Sequence, residues 1–192
     1  MRILKFIGKT ILYTIGLFIA LVLCVCIFVP VYDFDEPRPF SGDYLHNPYE
    51  DMDSTAWLLC NFHAHTRTAG GVANGRNNSN ELLDSTYSRF GFDHAGISNY
   101  NTITDYGKEN PTYVPGYEHG YGIFKIHKLG LGARKVRHLD YPLWQTLSMK
   151  QHTLNKIGQK AELAIPAHPS FVEKAITRKI SNISATTSCW KC

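Results

Sequence analysis

Residues 11–32 run for 22 positions without a charged side chain, ILYTIGLFIALVLCVCIFVPVY. A helix needs about 20 apolar residues to cross a hydrocarbon layer of about 30 Å, so this run is long enough to span. The apolar region of a cleaved signal peptide is shorter, about 7–15 residues, and ends in small residues. Phe28, Val29, Pro30, Val31 and Tyr32 offer no such site. Leu23 precedes Cys24 and Val25 precedes Cys26, where a lipid-modified cysteine would need a small neighbour. The run therefore predicts an uncleaved, single-pass membrane anchor over residues 11–32. Arg2, Lys5 and Lys9 precede it and Asp33, Asp35 and Glu36 follow it. By the positive-inside rule, residues 1–10 form a cytoplasmic basic segment and the rest of the chain is extracytoplasmic.

The 160 residues after Tyr32 suit one domain of ordinary size. The chain has 20 basic against 16 acidic side chains, a formal charge of +4, and three of the positives precede the apolar run. The remainder is close to neutral, which predicts no specific nucleic-acid binding. Five cysteines make no disulfide framework, because Cys24 and Cys26 lie in the apolar run and Cys189 and Cys192 at the far end. Cys60 then reads as a buried apolar thiol.

Residues 33–56 are rich in Pro, Asp, Gly and Tyr without a sustained period and read as a linker. The short apolar run over 57–62 predicts a buried strand, followed by a polar, Gly-rich loop over 63–78. Ser79 or Asn78 can cap a helix with Glu81 in its first turn, Leu82, Leu83 and Tyr87 on its apolar face, and Gly91 at its end. Further strands are expected over 93–98, 113–118, 123–131 and 162–168, and a helix within 141–159. Strands alternating with helices predict α/β architecture with a mainly parallel sheet.

Five side chains with metal-binding chemistry fall at or just after these strands: His63, His65, Glu118, His127 and His168. His63 and His65 are two apart, so on a strand they share a face, and two imidazoles on one face can hold a divalent cation. They can equally be packing or solvated histidines. Glu118 follows the turn signal Pro115-Gly116, and Pro169 is expected to hold His168 extended. Each of these alone also reads as an ordinary solvated or turn residue.

The ordered set is more specific: Asn61-Phe-His-Ala-His-Thr66, Gly91-Phe-Asp-His-Ala-Gly-Ile-Ser-Asn-Tyr100, Pro115-Gly-Tyr-Glu118, His127-Lys-Leu-Gly-Leu-Gly132 and Ile165-Pro-Ala-His-Pro169. It resembles the polymerase and histidinol phosphatase (PHP) domain family, over about residues 57–172. The resemblance implies a distorted (βα) barrel, a cluster of divalent metal ions (Zn, Mn or Fe) and hydrolysis of a phosphorylated small molecule or a phosphodiester. It implies His63 and His65 as a first ligand pair, Glu118 as a bridging carboxylate, and His127 and His168 as further ligands. Arg67, Arg134 and Lys135 are the cations placed to meet a substrate phosphate.

Two departures from that pattern stand out. Asn99-Tyr100 replaces a common Asp-His pair, and a phenol titrating near about 10 is a weak ligand at neutral pH. His94, at the start of its strand, reads as structural. The family's final Asp-x-His motif has no counterpart in the 24 residues after His168. The expectation is therefore an incomplete, C-terminally truncated barrel, with a partial PHP domain over 57–179. The tail over 180–192 carries no clear pattern. The codons for Cys189-Trp-Lys-Cys192, read from the third base, spell Leu, Glu, then Met or Val, so a shifted reading frame is expected there. Three functions fit: a membrane-anchored metal-dependent phosphoesterase, an inactive metal-binding remnant, and, ranked last, an amidohydrolase-like enzyme, for which no suitably placed bridging Lys is seen.

Overall fold

A computed structural model describes residues 2–36, 47, 49–53, 55, 57–67, 75, 77–122 and 125–168. The atypical tail over 180–192, the last part of the expected domain and much of the expected linker lie outside them. Eight elements follow in order: α1 (Arg2–Ile27), β1 (Cys60–Ala64), α2 (Asn80–Arg89), β2 (His94–Ile97), β3 (Gly116–His119), β4 (Lys128–Leu131), α3 (Leu147–Gly158) and β5 (Leu163–Pro166).

α1 has a mean hydropathy of 2.7 over its most apolar window and is long and apolar enough to cross a membrane. Thr10 and Thr14 donate their hydroxyl hydrogens to the carbonyls of Phe6 and Thr10, at 3.1 and 2.9 Å, so neither polar group asks for water. The helix differs from the expected 11–32. It takes in the basic residues at its start and stops at Ile27. Pro30 has no N–H to continue the ladder, and residues 29–36 lie outside any helix or strand.

α2 forms as its cap predicts. Ser79 Oγ accepts from Leu82 N at 3.1 Å, Glu81 sits at the positive end and Arg89 at the negative end. Leu83 and Tyr87 turn inward against Ala64, Ile97 and Ala95, which closes a first small core over β1 and β2. α3 begins later than the apolar spacing suggests. Thr146 Oγ1 caps Met149 N at 3.2 Å, and Pro142 belongs to the segment before the helix.

The strand directions correct the expectation of a mainly parallel sheet. β1 and β2 are parallel, but β3, β4 and β5 form an antiparallel sheet. Residues 120–127, between β3 and β4, are fewer than the dozen or so a parallel crossover needs, so the chain must double back. After β4, residues 133–146 run back along the sheet and α3 returns the chain to the end it left, which reverses β5 in turn. Tyr100 bridges Glu118 in parallel, with Glu118 N donating to Asn99 O at 3.1 Å and Asn101 N to Glu118 O at 2.7 Å. The two small sheets thus meet edge to edge in the order β1, β2, β3, β4, β5. No barrel closes among the described residues, and the architecture is mixed helix and sheet.

A second core, Tyr117, Ala133, Ile157 and Ala161, lies between α3 and the back of this sheet. Gly130 is required there: a Cβ would come within 2.9 Å of Tyr117 Cε1 and 3.0 Å of Ile157 Cγ2. Tyr117 and Ile157 are fully buried and have nowhere to go. Gly130→Val is expected to cost about 1–3 kcal/mol, read as a lower thermal midpoint of the full-length protein in detergent. An unchanged midpoint would contradict this packing.

Candidate metal centre

Strand alternation sorts the side chains of β3 and β4. Tyr117, His119, Lys128 and Gly130 face α3, so Glu118 faces the other side, and His127, just before β4, falls on that same side. β1 runs parallel to β2, which runs beside β3, so the end of β1 delivers His63 and His65 to the same place. All five side chains singled out by the sequence meet there. His65 Nε2 lies 2.7 Å from Glu118 Oε2, His127 Nδ1 2.7 Å from Glu118 Oε1, His168 Nε2 3.1 Å from Oε1 and His63 Nε2 3.6 Å from Oε1. The His63 and His65 rings are 5.1 Å apart, His127 and His168 5.3 Å, and His63 and His168 5.6 Å.

Glu118 is 0% exposed. Burial pushes its carboxyl pKa up, but the imidazoles of His127 and His65, and the charge of His127 and His63, outweigh this and hold it well below the usual carboxylate range. An ionised carboxylate thus sits among imidazoles. Burial lowers the His63 pKa, against the opposing pull of Glu118, which favours the neutral ring that binds metal.

The approaches of His65 and His127 to Glu118 are close, yet they lack the alignment of hydrogen bonds: Glu118 Oε2 and His127 Nδ1 remain buried polar atoms without a hydrogen-bond partner. Such orphans are expensive in a core unless something else satisfies them. Ligand atoms of His63, His65 and Glu118 lie within 4.8 Å of one another, and so do those of Glu118, His127 and His168. Two imidazole pairs sharing one carboxylate are a donor set that suits Zn, Mn or Fe. The buried His/Glu groups can therefore bind a metal ion, and their unsatisfied atoms fit one.

Residues around the set hold it in place. His63 Nδ1 is 3.0 Å from the hydroxyl oxygen of Ser98, a contact that fixes the ring and leaves Nε2 turned to Glu118. Tyr100 stacks on His65 at 4.6 Å and meets His127 edge-on at 5.3 Å. Burial and the neighbouring Glu118 raise its phenol pKa, so it keeps its proton and acts as a donor and a wall. Asn99 points elsewhere: its amide oxygen accepts from Thr66 N at 2.9 Å and its nitrogen donates to Thr66 Oγ1 at 2.8 Å. This clasp fixes the chain just after His65.

His168 departs from its expected extended backbone, with φ 30. A left-handed histidine is strained, and here it lies at the site itself. Gly120 is the position sequence reasoning missed most clearly, since a Cβ there would overlap His127 Cδ2. Gly120→Ala is expected to push the His127 ring off Glu118 and weaken metal retention by about 10-fold or more, read by competition with a chromophoric chelator. Retention unchanged from wild type would contradict it.

The cations expected to meet phosphate fare differently. Arg67 is exposed, one residue beyond the Thr66 clasp, and borders an open cleft with Asn99 and Thr102. Arg134 and Lys135 are exposed beyond the far end of β4, where Ala133 N bonds Pro115 O and Arg134 N bonds Lys160 O. Because β4 runs antiparallel, residues after it leave at the end opposite His127. His94 stays apart from the cluster, beside Phe62 at 5.2 Å. It borders a cavity of about 460 Å³ with Asp84 and Tyr106, whereas a cavity of about 380 Å³ lies beside His63 and His65, walled by Leu82, Leu83 and Thr86 of α2. The second borders the His63 and His65 segment on the side of α2, and Glu118, His127 and His168 do not line it.

No family model, curated protein or solved structure matches the chain.

Proposed function

We propose that this chain is a membrane-anchored, metal-dependent phosphoesterase resembling the PHP family, with its folded part outside the cytoplasm. The observation that carries this reading is the convergence of His63, His65, His127 and His168 on the buried carboxylate Glu118. The four come from three separate segments of the chain, in the order of the family motifs. Divalent cations bound there would make hydroxide available near neutral pH and offset charge on the phosphoryl oxygens. His63 and His168 are 28% and 32% exposed by side chain, against 12% and 9% for His65 and His127, so substrate reaches the centre from the His63 and His168 side. Tyr100 closes the opposite wall with its proton retained. The finer reading of the fold, an open fragment of a PHP-type barrel, is supported by the parallel run of β1, β2 and β3 that delivers the ligands to one end.

The test is release of nitrophenol from nitrophenyl phosphate and bis-nitrophenyl phosphate by the full-length protein in detergent with Zn, Mn or Fe. Release that stops with chelator and with Glu118→Gln is expected. A second reading, a metal holder without turnover, draws on Asn99, whose side chain is committed to Thr66 where the family pattern has an acidic ligand. Stoichiometric metal with no release from either ester would select it.

A further inference from the structure

The chain just after α1 is held against the first turns of α3. Tyr32 N donates to Ser148 Oγ at 3.1 Å, and Tyr32 Oη lies 3.1 Å from His152 Nδ1. Tyr141, seven residues before Ser148, is buried. Leu143 and Trp144 lie between buried Tyr141 and Ser148, and the Ser148 side is held to Tyr32. Trp144 is four residues from Ser148, within about 14 Å along the chain.

This segment is a built platform. Lys128 Nζ donates to Gln145 Oε1 at 2.8 Å, Gln145 Nε2 to Asp140 Oδ1 at 2.7 Å, and Tyr121 N to Asp140 Oδ2 at 2.7 Å. Yet Leu143 and Trp144 on it are each 42% exposed, and Phe28 and Val31, in the chain between α1 and Tyr32, are 80% and 87% exposed. Large apolar side chains left this exposed are unfavourable in water. At a bilayer surface the same residues are favourable, Trp above all, because its ring suits the headgroup layer.

We propose that Leu143 and Trp144 lie in the headgroup layer of the bilayer crossed by α1, as a second contact that fixes how the sheet stands on the membrane. This rests on α1 lying in a bilayer. The platform packs on residues 119–122 and 128, at the end of the sheet that carries Glu118 and His127. The candidate metal centre is then held at the membrane-facing end. Trp57, which precedes β1, falls at the other end, packed on Tyr49 at 5.5 Å.

The experiment uses the full chain in phosphatidylcholine nanodiscs whose acyl chains are brominated or not. Three single-tryptophan proteins are compared: Trp144 alone, with Trp57→Phe and Trp190→Phe; Trp57 alone, with Trp144→Phe and Trp190→Phe; and a helix control, Phe18→Trp with the other three replaced by Phe. Circular dichroism matching the parent selects folded protein. Bromine is expected to quench the Phe18→Trp control most strongly and Trp144 roughly threefold more than Trp57. Equal, weak quenching of Trp144 and Trp57 beside a quenched control would overturn the docking while leaving the span intact. An unquenched control would remove α1 from the bilayer and the proposal with it.

Discussion

Glu118→Gln is expected to abolish metal retention: affinity for a divalent cation falls at least about 100-fold, and ester hydrolysis falls with it. The substitution keeps the shape of a side chain that is 0% exposed, so the loss is chemical. An amide brings no negative charge to a place where four imidazoles have been gathered around one, and it offers a single acceptor in place of two. The two ligand groups share this residue and no other. Metal content after desalting, with affinity from chelator competition, checks the prediction. A Glu118→Gln variant that keeps wild-type metal would mean that the imidazoles hold it without the carboxylate, or that the metal lies elsewhere.

The second large effect concerns half of the cluster. With His63→Ala and His65→Ala together, the group formed by Glu118, His127 and His168 is left intact while the other loses both its nitrogens. Bound metal is expected to fall by at least about half, because a lone carboxylate without its imidazole partners is a weak site for Zn, Mn or Fe. Arg134→Ala with Lys135→Ala is the matched control. Both residues are exposed beyond the end of β4 away from His127, so metal content should stay at the wild-type level. A fall in the control, or none in the double histidine variant, would contradict the placement.

What the sequence makes legible here is mostly local. A run of apolar residues declares α1 by composition alone, and Ser79 with Glu81 declares the start of α2 because a cap and a dipole act within one turn. The residues of the cluster are legible as types, since a His-x-His pair on a strand shares a face whatever the rest of the fold does. Their convergence is not, because it depends on which strands lie side by side. The direction of β4 illustrates the gap. Its apolar run gives no sign of antiparallel pairing, and only the short connection over 120–127 carries that information. Arg134 and Lys135 read as phosphate contacts from their place after the Gly130-Leu-Gly132 turn, which says nothing of the end of the sheet they leave by.

Three other features escape for related reasons. Tyr100 reads as a lost ligand, although its place just past the end of β2 is itself a signal that it would join the site as a wall. Asn99 binds Thr66, a residue 33 positions away, and no pattern in the sequence encodes that pairing. His168 is expected to be extended before Pro169, yet φ 30 is found, an outcome that tertiary contacts at Glu118 impose against the local preference.

That imidazoles from separate segments hold a divalent cation together with Glu118 is tested most directly by X-ray absorption on the full-length protein, loaded with Zn and desalted. The expected result is stoichiometric zinc whose nearest neighbours are nitrogen and oxygen, with the multiple-scattering pattern of at least about two imidazoles per ion. Zinc lost on desalting, or a shell of oxygen alone without imidazole scattering, would contradict it.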